Sequence, residues 1–288
     1  MADRVGSVFN GPGNRGLTPL PRSAPSLHFA NAVRRPIAFI SSLLPRGIGD
    51  AGLQFLFFFF AYNGYQLVRG LSEAREELAF ANAERLVDVQ RSLGTFFEPG
   101  LQQTVLGQEW LINAANFLYM NTHFVITTAF LVWLYLFRNE HFYFVRNMFM
   151  VAMALALVGY AAYPTAPPRL MPELGFTDTI ATYTGVAQDA GTVGLLVNQY
   201  AAVPSMHIAF SLMIAVPGMR LSAHPLTRAL WSAYPLLVFF VIVVTGNHFW
   251  LDAAAGAAVA CVAAVTATQL ARARESWAWP EPAREATA

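Results

Sequence analysis

Six long apolar segments constrain the fold of this 288-residue sequence more than any other feature. Crossing the hydrocarbon core of a membrane takes about 20 mostly apolar residues in a helix. In that environment only helices and closed barrels satisfy all of their backbone hydrogen bonds. We therefore predict an all-α, polytopic membrane protein built as a six-transmembrane-helix bundle. The predicted spans are residues 48–68, 117–137, 142–163, 200–219, 229–245 and 249–270.

The composition agrees with a membrane location. Hydrophobic residues make up 56% of the chain and charged residues 12%, against a charged fraction of about 25% in soluble domains. The net charge is only +1, so the chain offers no strongly basic surface to a nucleic acid. We expect membrane lipids, and no nucleic acid, among its partners.

The two ends of the chain differ from its apolar middle. Residues 1–46 are rich in Pro, Gly, Ser and Arg and contain no signal-peptide core. We predict disordered tails at 1–46 and 275–288 around a six-helix membrane catalytic domain at 47–274. With six spans, most of the 18 basic residues share one side with both tails. The positive-inside rule then places the tails in the cytoplasm, and we expect a bacterial-type plasma membrane.

The connections on the other side are long. Residues 71–93 alternate acidic residues with arginines and are rich in helix formers, which predicts an extracytoplasmic amphipathic helix. The segment between the third and fourth spans, 164–199, is irregular and punctuated by Pro and Gly. Loops of that length usually carry function.

Titratable residues within or beside a membrane span are costly and therefore mark candidate sites. His248 and Asp252 are four residues apart at a predicted helix start, so they share one face. The carboxylate can bind one imidazole nitrogen and leave the other free as a nucleophile. Ser205 is a candidate cap for the helix that carries His207, whose first N–H groups favour a phosphate. Arg169 offers the planar cation that phosphate oxygens prefer.

Other interpretations of these residues remain open. A histidine near a helix start often has only a structural role, and two histidines with a carboxylate can bind a metal ion. A polar stripe along one helix face either lines a pocket for a lipid headgroup or polyol or forms interhelical hydrogen bonds. A further pair, one turn apart, either lines the same pocket or lies on the solvated surface. The stripe comprises Asn113, Asn116, Tyr119 and His123, and the pair is Glu98 with Gln102.

Two of these motifs resemble the type 2 phosphatidic acid phosphatase superfamily. Pro-Ser-Met-His at 204–207 is similar to its Pro-Ser-Gly-His motif, and His248 with Asp252 is similar to its terminal His-x-x-x-Asp motif. Tyr-Pro-Thr-Ala-Pro-Pro-Arg at 163–169 and Gly-Asn-His at 246–248 resemble the branch of inositol phosphorylceramide synthases and inositolphosphotransferases. The resemblance covers roughly residues 70–260.

This resemblance implies a metal-free six-helix bundle that needs no cofactor and forms a phosphohistidine intermediate. It implies that His248 is the nucleophile, Asp252 its partner and His207 the general acid. Two departures concern phosphate binding. Met206 replaces the usual Gly, and the family's Lys-containing first motif is missing. We expect the charge of the phosphate to rest mainly on Arg169 and on helix N-termini.

The sequence thus predicts a membrane enzyme that hydrolyses or transfers a lipid-linked phosphate. The predicted substrate is a phospholipid or an isoprenoid phosphate, with a polyol such as inositol as a candidate acceptor. The predicted substrate-binding residues are Arg169, Ser205, Asn247, His123 and Tyr119. The sequence predicts no oligomeric state. The alternative is a non-catalytic membrane scaffold or small transporter, although the internal repeats typical of transporters are not evident.

Overall fold

The structure is a computed structural model that describes residues 44–73, 75–184 and 199–278. Within these ranges the regular elements are helices, and one isolated bridge joins Thr165 to Ala201. Residues 1–43 and 279–288 of the predicted tails lie outside the described residues. The helices are α1 (Gly47–Glu73), α2 (Glu76–Ser92), α3 (Glu98–Leu106), α4 (Glu109–Phe117), α5 (His123–Phe137), α6 (Asn139–Ala162), α7 (Thr179–Thr184), α8 (Met206–Leu221), α9 (Pro225–Val244) and α10 (Trp250–Ala273).

Four helical stretches among the described residues are long and apolar enough to cross a membrane. They are α6, α9, α10 and Glu109–Phe137, in which a π-helical segment joins α4 to α5. The six-span prediction is therefore supported for four segments. Helix α1 has 27 residues but includes Asp50, Gln54 and Asn63, which lower its hydropathy.

Helix α8 is apolar but has only 16 residues, or about 24 Å at 1.5 Å per residue. The hydrocarbon core is about 30 Å thick. The span predicted at 200–219 starts too early, because residues 200–205 form a loop instead of a helical turn. That loop leads the chain to the end of the bundle where α10 begins, and the Ser205 N–H donates to the Asp252 carbonyl at 2.9 Å.

The main core lies between α5, α6, α8 and α10, with Phe58 of α1 and Trp231 of α9 packed against it. Small residues let α10 approach its neighbours closely. Ala253, Gly256 and Ala260 are buried at a spacing of three to four residues. A methyl group on Gly256 would lie 2.1 Å from the Ser205 carbonyl oxygen. The contact between α10 and the start of α8 therefore requires glycine.

Helix α2 packs against loops of the protein. The sequence predicts instead an amphipathic helix at the outer membrane surface. Its buried face contributes Ala79, Ala83 and Val87 to a second apolar cluster, together with Ala166 and Phe249 from two loops. The Ala166 N–H also donates to the Ala79 carbonyl at 3.0 Å. The alternating charges predicted a two-faced helix, but its apolar face meets protein.

The last described residues are ordered. Glu275–Trp277 forms a 3-10 turn directly after α10. The Trp277 carbonyl accepts hydrogen bonds from Asn147 Nδ2 at 3.0 Å and Arg146 Nη2 at 3.4 Å. Residues 275–277, which fall in the predicted tail, thus follow α10 directly and accept hydrogen bonds from side chains of α6.

Candidate active site

Three chain segments meet where α6 ends and where α8 and α10 begin. The first is residues 163–169, which leave α6. The second is Ser205 with His207 at the start of α8. The third is the turn between α9 and α10, residues 245–249. The helix directions place all three at the same end of the bundle, as the sequence motifs predict.

The turn between α9 and α10 has a fixed backbone. Gly246 has a φ of +68°, which favours glycine because other residues lack space for a side chain in this conformation. The Asn247 amide donates to Thr245 Oγ1 at 2.9 Å within the turn. Asn247, which we predicted to bind substrate, therefore contributes a side-chain bond to the shape of this turn.

His248 and Asp252 lie against each other at the start of α10. His248 Nδ1 is 3.3 Å from Asp252 Oδ2, and the same oxygen accepts the Phe249 N–H at 2.8 Å. Asp252 is fully buried, and its Oδ1 has no hydrogen-bond partner among the described residues. The carboxylate thus fixes both the helix start and one imidazole nitrogen.

His207 faces the other nitrogen of His248. Its Nδ1 lies 3.3 Å from His248 Nε2. Ser205 is positioned as the residue before α8, but its side chain makes no capping bond. The prediction is thus confirmed for the N-cap position of Ser205 and wrong for a side-chain capping bond. Its Oγ is buried and has no partner in the described part of the chain.

The surroundings keep His248 neutral. Burial is the largest influence and lowers the pKa of His248 to about 4, and the positive charge of Arg169 acts in the same direction. A hydrogen bond with the backbone of Ala202 opposes this shift only in part. At neutral pH the imidazole therefore has an unprotonated nitrogen, which is the form that can attack phosphorus.

Arg169 is buried beside the same turn. Its backbone N–H donates to the Gly246 carbonyl at 2.7 Å, and its Nη1 pairs with Asp178 Oδ2 at 3.2 Å. Its Nε has no partner among the described residues. Sequence reasoning missed Asp178. The available signal was its position before α7, where Asp178 Oδ1 accepts the Ala181 N–H at 3.0 Å.

Glu98 and Gln102 are buried supports for this turn. Glu98 Oε1 accepts the Trp250 N–H at 3.0 Å, at the first residue of α10. Gln102 Nε2 donates to the Val244 carbonyl at 3.1 Å, at the end of α9. Both are fully buried, so the alternative that they lie on the solvated surface is wrong. They hold the two ends of the segment that carries His248.

The predicted polar stripe divides into two parts. Asn113 is exposed, and Asn116 Nδ2 donates to the Thr179 carbonyl at 3.0 Å. The π-helical segment Leu118–Thr122 follows, and Tyr119 within it and His123 directly after it lie beside the site. The ring of His207 lies 4.8 Å from that of Tyr119 and 4.9 Å from that of His123, measured between centroids.

A cleft of about 230 Å³ opens beside His207. One wall is the π-helical segment with the start of α5, and the other is α9. Five of the lining residues carry polar groups, namely Tyr119, Thr122, His123, His207 and Tyr234, and His123 Nδ1 lies 3.1 Å from the Tyr234 hydroxyl. The remaining walls are aliphatic. They are formed by Leu118, Ile126, Leu237, Val238, Val241 and Ile242.

Among the described residues, no group of three or more His, Cys, Asp or Glu side chains is arranged to hold a metal ion. No curated protein and no solved structure matches the chain. The sequence profile of the PAP2 superfamily matches residues 84–266, a stretch that contains His207, His248 and Asp252. Because that match covers more than half of the chain, the protein belongs to the PAP2 superfamily.

Proposed function

We propose that this protein is an integral membrane enzyme that cleaves a lipid-linked phosphate ester through a covalent phosphohistidine on His248. Superfamily membership supports a phosphatase or phosphotransferase acting on lipid phosphates. One observation carries the finer proposal. The two nitrogens of His248 have different neighbours, the Asp252 carboxylate on one side and His207 on the other, each at 3.3 Å.

In the proposed first step, His248 Nε2 attacks phosphorus and forms a P–N bond. The P–O bond to the leaving alcohol breaks, and His207, whose protonated form is favoured by the bound phosphate anion, donates its proton to the departing oxygen. Asp252 accepts the Nδ1 hydrogen bond, fixes the tautomer and stabilises the positive charge that develops on the ring. The contact between the two imidazoles must open to admit the phosphoryl group.

In the second step, an oxygen nucleophile attacks the same phosphorus. His207 accepts its proton, the P–N bond breaks and His248 becomes free again. Water as the nucleophile gives hydrolysis, and an alcohol gives transfer. The resemblance to the inositolphosphotransferase branch favours transfer to a polyol such as inositol.

Two unpaired donors support an anion site next to His248. Ser205 Oγ and Arg169 Nε are buried without partners among the described residues, and such donors are costly unless an acceptor occupies the site. The N–H groups of the first turn of α8 add a third contribution. Asp178 neutralises part of the Arg169 charge, so we assign phosphate binding to all three elements.

We further propose that the site faces the extracytoplasmic side of a bacterial-type plasma membrane and that both tails are cytoplasmic. The distribution of arginines supports this orientation. On this assignment α2 and α3 lie over the outer membrane surface.

Acceptor dependence tests the proposal. Purified protein in detergent, with a chelator, is given labelled phosphatidic acid or phosphatidylinositol, with and without free inositol. Inorganic phosphate released from phosphatidic acid without polyol would establish a phosphatase. A phosphopolyol product that requires His248 would establish a transferase. Activity that persists in His248→Ala would contradict the mechanism.

A further inference from the structure

We infer that a groove between the start of α6 and the end of α10 binds the zwitterionic headgroup of a phosphatidylethanolamine molecule. The groove has a volume of about 320 Å³. It lies where α10 ends, whereas His248 lies where α10 begins, so it is separate from the candidate active site. The residues that line it are Phe144 of α6, Thr268, Ala271 and Arg272 of α10, and Glu275 of the turn after α10.

The two charged groups of the groove have opposite signs and are not paired. Arg272 and Glu275 are both exposed, and no ion pair joins either of them to a residue that the structure describes. The neighbouring Arg274 lies over the Trp277 ring, 5.1 Å from its centroid. Arg272 is therefore the cation that the groove offers to a ligand, and Glu275 is the anion.

The groups of the groove follow one another in the order of the groups in a phospholipid. Thr268 lies one turn deeper along α10 than Arg272, by about 6 Å at 1.5 Å per residue. Glu275 lies beyond the end of the helix, on the water side of Arg272. A phospholipid runs in the same direction from its glycerol to its phosphate and then to its terminal group. With the phosphate on Arg272, the terminal group therefore meets Glu275.

The charges of the groove distinguish between common headgroups. Phosphatidylethanolamine ends in a primary ammonium group, which brings both a positive charge and N–H donors to Glu275. Phosphatidylcholine keeps the positive charge but has no N–H group to donate. Phosphatidylglycerol offers no cation, so its phosphate would lie beside an uncompensated carboxylate. The groove therefore favours phosphatidylethanolamine over the other two lipids.

The surroundings of the groove suit the acyl chains of the same lipid. Phe144 and Ala271 are apolar parts of its walls, and Val265, one turn deeper than Thr268, is 61% exposed. Exposed apolar side chains on a membrane-spanning helix face the lipid chains. The bound lipid would thus join α6 to the end of α10, beside the hydrogen bond from Asn147 Nδ2 to the Trp277 carbonyl.

The affinity for single lipids, measured by native mass spectrometry of the full-length protein in detergent, tests the inference. The lipids are phosphatidylethanolamine, phosphatidylcholine and phosphatidylglycerol, all with dioleoyl chains, so that the contribution of the chains cancels. The test variants are Arg272→Gln and Glu275→Gln. The matched controls are Arg138→Gln and Glu140→Gln, which remove exposed charges at the same end of the bundle but outside the groove. Other lipid sites, including the active site, are the same in every variant.

We expect wild type to bind phosphatidylethanolamine up to about fivefold more tightly than either other lipid, which is the effect of one exposed charge contact. Glu275→Gln should abolish the preference over phosphatidylcholine and raise the affinity for phosphatidylglycerol, because the carboxylate is lost. Arg272→Gln should weaken phosphatidylethanolamine binding by up to about fivefold, because the phosphate loses its cation. Both controls should keep the order of affinities of wild type.

Three results would overturn the inference. The first is equal affinity of wild type for the three lipids. The second is tighter binding of phosphatidylglycerol by wild type, which would identify a site for anionic lipid. The third is an order of affinities that Glu275→Gln leaves unchanged. None of these results bears on the His248 mechanism, which turnover measurements test separately.

Discussion

Asp50 and Asp252 lie near opposite ends of the bundle, and they differ in how completely their oxygens are bonded. Asp50 accepts hydrogen bonds from the Tyr135 hydroxyl at 2.9 Å, the Tyr143 hydroxyl at 2.7 Å and Gln54 Nε2 at 3.0 Å. These bonds join α1, α5 and α6. Asp252 is more deeply buried, yet one of its oxygens has no partner among the described residues.

The surroundings of the two carboxylates differ in the same way. At the Asp50 end, Arg146 Nη1 donates to Gln54 Oε1 at 2.8 Å and extends the bonded network. At the Asp252 end, Ser205 Oγ and Arg169 Nε are also buried and unpaired within the described ranges. A bonded network stabilises packing, whereas unpaired buried groups cost stability and are kept where a ligand can use them. We therefore assign structure to one end and chemistry to the other.

The largest expected contrast is between histidines at the two ends. His248→Ala should lower turnover by at least about 10⁴-fold, because the nucleophile is lost. His141→Ala removes a partly exposed imidazole at the start of α6, and its turnover should stay within about twofold of wild type. Initial rates on a lipid phosphate, with size-exclusion profiles to check folding, measure both. Equal losses would contradict the division between the ends.

The general acid gives a contrast between substrates. His207→Ala should slow cleavage of alkyl phosphates by about 10²–10⁴-fold, because an alkoxide is a poor leaving group without a proton. The loss in the rate of the first step should be much smaller for para-nitrophenyl phosphate, whose leaving group departs unprotonated. The measurement is the ratio of the two losses in the first turnover, because the second step lacks its base with either substrate. An equal loss on both substrates would remove His207 from this role.

The two carboxylates should respond oppositely to loss of charge. Asp252→Asn should reduce turnover by at least about 10²-fold, because His248 loses the partner that fixes its tautomer. Asp50→Asn should leave turnover nearly unchanged but lower stability by about 1–3 kcal/mol, because two tyrosine hydroxyls lose a charged acceptor. Turnover and thermal unfolding are measured on both variants. Loss of turnover in Asp50→Asn, with turnover retained in Asp252→Asn, would contradict the roles assigned to the two carboxylates.

The smallest expected difference between the two ends is between two glycine substitutions. Gly256→Ala places a methyl group against Ser205 and should displace the start of α8, with a loss in turnover of up to about 10²-fold. Gly52→Ala meets nothing within 4 Å and should raise helix stability by up to about 1 kcal/mol without a change in turnover. A Gly256→Ala enzyme with full activity would show that the spacing of α8 and α10 is not critical.

Local patterns explain why part of this architecture was predictable. The pairing of His248 with Asp252 follows from helical spacing alone, and α6, α9 and α10 follow from apolar length. The meeting of His207 with His248 required the topology of the spans as well as the spacing. All of these depend on short-range periodicity or on the number of membrane crossings.

The remaining features depend on tertiary contacts that no local pattern records. Glu98 and Gln102 look like surface residues of a polar connection until the turn between α9 and α10 packs on them. The pairing of Asp178 with Arg169 depends on the fold of an irregular loop. The π-helical segment changes the helix phase between Asn116 and His123. The predicted polar stripe assumes regular α-helical spacing, so it is interrupted at this segment.

The central claim is that His248 carries the phosphoryl group, and trapping the phosphoenzyme tests it most directly. The His207→Ala variant is mixed with para-nitrophenyl phosphate, because the first step there needs no proton donor and the second lacks its base. The reaction is quenched in alkaline denaturant, which preserves phosphohistidine, and the peptides are mapped by mass spectrometry. We predict one phosphoryl group on His248 and none after His248→Ala. Phosphate on another residue, or an unmodified His248 during a measurable burst of nitrophenol, would contradict the mechanism.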